Sequence, residues 1–198
     1  IDDAALIDTN TTLTGTTSID FASTVNSAAG ENNDLTLNSP LTGFNADIGT
    51  AQALGALTTD TAGNTTLGTG VSTITTVGDQ TFGDTVTALS SITLNAGTGD
   101  ISIEDVDNDL QGTVSVNGRN VTIFDAGDLD LGASTVTGSL NVSADGDITD
   151  SGTLTVSGEG IFETFDDSGA NITLNDASST FGTITAQASN GAGNVTSD

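Results

Sequence analysis

One four-residue pattern constrains this chain more than any other: an apolar residue, a Thr, Ser or Asn, a second apolar residue, then Asn or Ser. It begins at Leu35 (LTLN), Ile92 (ITLN), Val114 (VSVN), Leu140 (LNVS), Leu154 (LTVS) and Ile172 (ITLN). Alternation of period two puts the apolar side chains on one face of a pleated strand and the polar ones on the other. The stretch 91–103 (SITLNAGTGDISI) holds the unit whole: Ile92 and Leu94 alternate with polar neighbours, Ala96 to Asp100 form a turn, and Ile101 and Ile103 resume the alternation. The copies from Ile92 to Ile172 are unevenly spaced but recur on average every ~20 residues, and the gap from Leu35 to Ile92 is close to three such intervals. Self-similarity at a period near twenty marks stacked coils.

The residue choices agree. Asp outnumbers Glu by 23 to 4 and Thr is abundant, which favours short strands joined by turns over helices. The most helix-like window, 51–57 (AQALGAL), is broken by Gly55 and too short to stand alone. Gly, Asp and Asn clusters (NGRN, DAGD, ADGD, SGEG, DDSGAN, NGAGN) separate inward pairs such as Val121/Ile123, Leu129/Leu131 and Leu140/Val142, and Val86/Leu89, Ile161 and Phe181/Ile184 are read the same way. Pro40 marks a corner, and strands are expected near 11–16 and 18–25. Hairpins are the rival arrangement, because Asn-Gly and Asp-Gly also make type I′ turns. Recurrence of one motif favours the parallel solenoid, in which Asn38, Asn95, Asn117 and Asn175 would stack as a corner ladder with a left-handed backbone. The expected fold is therefore all-β: a right-handed parallel β-helix of about ten coils, one domain over 1–198 with no internal boundary.

Charge and missing residue types exclude several functions. The formal charge is −26 and Arg119 is the one base, so the chain lacks the Lys and Arg that nucleic acid or an anionic membrane requires. Such a charge favours an elongated shape and sensitivity to salt. With no Cys, His, Lys or Tyr, acid/base and nucleophilic chemistry would rest on carboxylates and hydroxyls alone. Polysaccharide-cleaving β-helices of the lyase type need a base against the substrate, and the hydrolase type resembles an Asp set completed by His and Arg-x-Lys motifs. Asp166-Asp167 is an adjacent acidic pair near a strand, and nothing completes it. The chain is expected not to be an enzyme.

Among binding candidates, Asp105, Asp107 and Asp109 place three carboxylates at alternate positions, a candidate Ca²⁺ set. It is not an EF-hand, since Leu110 and Val116 stand where that loop needs Gly and Glu. Solvated turns are the alternative. Calcium is expected to raise thermal stability beyond what NaCl at matched ionic strength achieves. Arg119 could bind a carboxylate ligand, or simply pair with a neighbouring Asp. The sequons at Asn10, Asn64, Asn120, Asn141, Asn171 and Asn194 read first as turn chemistry and second as glycosylation sites. Ice binding would need Thr-x-Thr at constant spacing, but the copies beginning at Thr12, Thr73, Thr85, Thr135, Thr153 and Thr183 follow no regular interval.

The segments SIDFASTVN, DLTLNSPLTGF, ALTTDTAGNTTL, TTVGDQTFGDTV and SITLNAGTGDISI resemble the degenerate repeats of filamentous-haemagglutinin-like surface adhesins, and the resemblance runs from about Leu13 to Val195. The Asn-Pro-Asn type secretion signature of those exoproteins is absent. The resemblance implies a non-enzymatic extracellular rod at a bacterial cell surface, structural or adhesive. Its partners would be adjacent repeats of a longer chain or other copies stacked head to tail, together with host or neighbour-cell glycans. A ligand-binding solenoid, for glycan or ice, is the alternative.

Overall fold

The computed structural model describes residues 1–165, 169–189 and 195–196. Its main sheet is parallel, and its register can be followed from rung to rung. Thr11, Leu35, Leu57, Gln80, Ile101, Val121, Leu140, Gly160 and Ile184 are successive partners. The chain is a parallel β-solenoid with nine rungs on this face rather than about ten, because a real coil takes slightly more chain than the motif spacing suggests. At about 4.8 Å per rung the stack is about 40 Å tall. A second parallel face carries Ala5, Val25, Ile48, Ile74, Leu94 and Val116 in register. Among the described strands the one antiparallel pairing joins Thr180–Ser189 to Val195–Thr196.

A third face has only five strands: Ile19–Phe21, Leu41–Phe44, Asn64–Leu67, Thr85–Ala88 and Asp109–Leu110. Its inward column reads Phe21, Phe44, Leu67, Ala88, Leu110, each in register with the next, and the Phe21 and Phe44 rings stack with centroids 5.3 Å apart. Below Leu110 the coils change. Nine residues, including a third-face strand, link Ile103 to Thr113, whereas three (Ala126 to Asp128) link Asp125 to Leu129 and three (Asp145 to Asp147) link Ala144 to Ile148. The DAGD and ADGD turns thus carry the chain straight from the first face to the second, which below Val114–Gly118 divides into two strand columns, one through Leu131 and Asp150 and one through Val136 and Val156.

The period-two expectation holds in detail. Ile92, Leu94, Ile101 and Ile103 in the key stretch are all buried, and Pro40 turns the chain between Leu35–Asn38 and Leu41–Phe44. No helix occurs among the described residues, including 51–57. Two inward assignments fail: Leu89 is exposed, and Ile161 points outward between the inward Gly160 and Phe162; Ile184 continues the inward column from Gly160 but is exposed on the last described rung. The six motif copies are not equivalent either. Leu35 and Leu140 lie on the first face, Ile92, Val114 and Ile172 on the second, and only Ile92 and Val114 are direct partners.

Glycine at 49 is required twice over. Its φ is 70°, and a methyl group there would be driven into the Thr75 carbonyl oxygen. Gly49→Ala is expected to cost about 3 kcal/mol or more. Gly30→Ala, with φ of 82° but open space around it, should cost about 1 kcal/mol, and chemical denaturation of the two variants measures the difference.

Candidate functional site

The structure first accounts for the acidic side chains. At coil corners an Asp or Asn side-chain oxygen accepts a backbone N–H from the next coil. Asp79 Oδ1 takes Asp100 N, Asp100 Oδ1 takes Asn120 N, and Asn120 Oδ1 takes Ser139 N, at 2.8, 3.0 and 3.2 Å. A parallel series runs from Asp128 to Asp147 N and from Asp147 to Asn171 N, at 2.8 and 2.7 Å. Asp is short enough to reach one rung and no further, which is why Glu is scarce. Asp47 accepts from the backbone of Ser72 and Thr73 and from the Ser72 hydroxyl. Partial burial works against its charge, but these bonds outweigh that and lower its pKa. Asp47→Ala is expected to cost about 1–2 kcal/mol by thermal or urea unfolding, and Asp47→Asn less, since its oxygen can still accept.

The candidate site is the step where the third face ends. Two buried polar side chains secure the last strand there, Asn108 to the strand above it and Asp125 on its free edge. Asn108 accepts Val86 N–H at 2.7 Å and donates to the carbonyls of Ile103 and Phe124. Asp125 accepts Leu110 N–H at 2.9 Å on one oxygen and Gly127 N–H at 3.1 Å on the other. Burial pushes the Asp125 carboxyl up to about 6 against the pull of those two bonds, with Asp109 and Asp128 adding repulsion. Asp125 thus takes up a backbone donor on the free edge of the sheet, a protected edge of the kind edge strands need.

Beneath this ledge opens a cleft of about 310 Å³ with Asp125 in its wall. Two adjacent columns of the first face line it. Phe124, Ser143 and Glu163 are register partners on successive rungs, and beside them Asp145 N–H bonds to Asp125 O while Phe165 N–H bonds to Ala144 O. Aromatic rings therefore stand at rungs 121 and 160, separated by small Ser143 and Ala144 and accompanied by the carboxylates of Asp145 and Glu163. Val106 overhangs from the loop after Ile101–Ile103, and it and Phe165 are 68% and 57% exposed. The arrangement offers apolar contact and negative charge.

The residues singled out in the sequence fare differently. Asp105 Oδ1 accepts Asp107 N–H in a local turn and Asp109 accepts from Gln111; these three carboxylates form no metal-holding group, and no group of three or more acidic side chains does so among the described residues. Arg119 pairs bidentately with Asp100, one coil above, at 2.8 and 2.7 Å, which with help from Asn120 lowers the Asp100 pKa to about 2. Of the expected Asn ladder only one step forms, Asn117 Nδ2 to Asn95 Oδ1 at 2.7 Å. Asn38 lies on the first face and Asn175 donates its N–H to Asp150; no non-glycine described residue has positive φ, so the turns use Gly97 instead. Asn10, Asn120 and Asn171 all serve in inter-coil bonds, as turn chemistry predicts. Asp166, Asp167 and Asn194 lie outside the described residues.

Thr12, Thr36, Thr58, Thr81, Ser102 and Thr122 form one outward column in register, a ladder hidden by the irregular spacing of Thr-x-Thr. The neighbouring column changes from Thr14 to Asn38 at its first step, so a paired Thr ladder does not form there. Asp125, Ala144 and Asp145 belong to the DAGD and ADGD turn clusters, but nothing there marks a cleft; the signal of its aromatic rings is phase. Phe124 is one step from inward Ile123, and Phe165 three steps from inward Phe162, so both fall on the outward phase.

A model of a family described as "Repeats of unknown function (DUF5649)" matches residues 118–188, the coils below the step and most of the cleft. No curated protein and no solved structure matches the chain. The matched region spans four successive rungs of the main face, at Val121, Leu140, Gly160 and Ile184, so the repeat detected in sequence is similar in extent to the coils that lack the third face.

Proposed function

We propose that this chain is a non-enzymatic structural or adhesive rod, a segment of an extracellular bacterial surface protein of the filamentous-haemagglutinin-like kind. The observation that carries this reading is the use of the carboxylates. Asp47, Asp79, Asp100, Asp125, Asp128, Asp147 and Asp150 each accept a backbone N–H from an adjacent coil, so much of the acidity of the sequence serves the stacking of a rod. The fold class and the match to a repeat family support the same reading. Each end coil leaves inward apolar side chains without a layer above or below: Ala5, Leu13 and Ile19 are only partly covered at one end, and Ile184 is 51% exposed at the other. A further coil is the natural cover, supplied by adjacent repeats of a longer chain or by a second copy stacked head to tail. The test is electron microscopy of the 198-residue chain at rising salt and Ca²⁺, which screen end-to-end repulsion. Rods about 40 Å long that join along their axis are expected. Side-by-side association, or single rods under every condition, overturns the stacking. Hydrolysis or elimination of any member of a polysaccharide panel overturns the non-enzymatic reading.

A further inference from the structure

We infer that the cleft below the step is a docking slot for a basic side chain, a lysine or arginine presented by a partner protein. The slot joins two features that are otherwise apart on this surface. Phe124, Phe165 and Val106 offer apolar walls suited to the methylene stem of a long side chain. Asp145 and Glu163 stand on the rungs between and beside the rings, where an ammonium or guanidinium would meet both carboxylate charge and aromatic faces. Ser143 is what makes room: a large residue in the column between Phe124 and Glu163 would close the gap. A volume of about 310 Å³ is at the low end for ligand pockets, and suits one side chain better than an extended chain of sugars.

Charge complementarity chooses the occupant. The whole chain carries −26, so its field draws cations toward every surface, but corner carboxylates such as Asp79, Asp128 and Asp147 are already engaged by backbone N–H groups of the next coil. No side-chain or backbone donor is bonded to Asp145 or Glu163 carboxylate oxygens among the hydrogen bonds of the described residues, and both face the slot. A second copy of the chain has a single base to offer, Arg119, and that guanidinium is held by Asp100. The partner is therefore a different protein, and the inference is independent of whether the rod stacks on itself.

The experiment is an amide chemical-shift titration of the ¹⁵N-labelled chain with a capped Gly-Gly-Lys-Gly-Gly peptide, its arginine counterpart, its Nε-acetyl-lysine and norleucine counterparts, and N-acetylglucosamine. Shifts confined to the rungs around Phe124, Asp145 and Phe165 are expected with lysine and arginine, at millimolar affinity, and at least tenfold weaker binding with the acetylated and norleucine peptides. The Asp145→Asn/Glu163→Gln variant should lose at least tenfold in affinity and Phe165→Ala several-fold. Asp2→Asn/Asp3→Asn, which removes the same charge from an end of the chain, should lose less than twofold. Equal binding of the neutral peptides, equal loss in the Asp2/Asp3 variant, shifts spread over the whole acidic surface, or slot shifts produced by N-acetylglucosamine in place of the cations each overturn the inference. Retention of the unliganded spectrum by each variant separates lost binding from lost folding.

Discussion

Lowering the pH from 7 to about 4.5 is expected to stabilise this protein, raising its melting temperature by about 4–8 °C. The reason lies in two carboxyls inside the coils. Asp125 is pushed up to about 6 by burial. Asp84 is also raised, again by burial first, although the hydroxyls of Thr59 and Thr65 bond to it at 2.7 and 2.9 Å, and the charge of Asp60 adds to the rise. A carboxyl whose folded pKa lies above the unfolded value of about 3.9 binds more protons in the native state between the two values. Stability from these groups is thus fully present below about pH 4 and is lost as pH rises through the folded pKa. For Asp125 the window is about pH 4–6, and the gain on acidification, reduced for solvent screening, is about 2 kcal/mol. Discharge of a chain carrying −26 acts in the same direction. Asp47, Asp100 and Asp176 act oppositely, since their pKa values are lowered and their contribution is lost as pH falls below about 4. A maximum near pH 4–5 follows. Melting curves at constant ionic strength check it, and Asp84→Asn combined with Asp125→Asn should flatten the slope between pH 4 and 6. A melting temperature that climbs steadily from pH 4 to pH 8 would refute the assignment of strain to these two carboxyls.

The same residues show what could be read in the sequence and what could not. Fold class was legible because alternation is local: Ile92, Leu94, Ile101 and Ile103 declare two strands and a turn without reference to anything distant. Register was not. LTLN at Leu35 and ITLN at Ile92 look alike, yet one lies on the first face and the other on the second. A buried strand face demands the same alternation wherever it sits in the coil, so the motif reports burial and not position. The role of Asp was hidden for the same reason. That Asp79 caps Asp100, and Asp100 caps Asn120, depends on offsets of one full coil that only the stacked structure reveals. The outward, half-buried ring of Phe124 was within reach of the sequence, because the alternation of Val121 and Ile123 fixes its phase. The cleft itself was not, since it exists only where a whole face of the solenoid stops.

Phe44→Ala should cost about 3–5 kcal/mol, and the loss should stay near the lesion. The Phe44 ring is 1% exposed, stacks on Phe21 above it, and is in register with Leu67 below, so truncation opens a cavity between those layers. In a compact globule that cost would be shared by every amide that exchanges through global unfolding. Here the named register partners link adjacent rungs, and a stack of this kind behaves approximately as a one-dimensional array of coils and nearest-neighbour interfaces. Hydrogen exchange should therefore accelerate by about two to three orders of magnitude at amides of the Leu35, Leu57 and neighbouring strands, and change little at Val121 and Leu140. Phe162→Ala should give the mirror result. Phe162 is fully buried and meets Phe181 edge to face at 5.8 Å, so the rungs from Leu140 onward should lose protection while Leu35 and Leu57 keep it. The two halves also differ in build, since the sheet from Ile19–Phe21 to Asp109–Leu110 is present above the step and stops there, while below it the second face divides into two strand columns, which gives each half its own interface energy and a natural boundary at the step. Uniform acceleration across all nine rungs in both variants would show a single cooperative unit and refute the array.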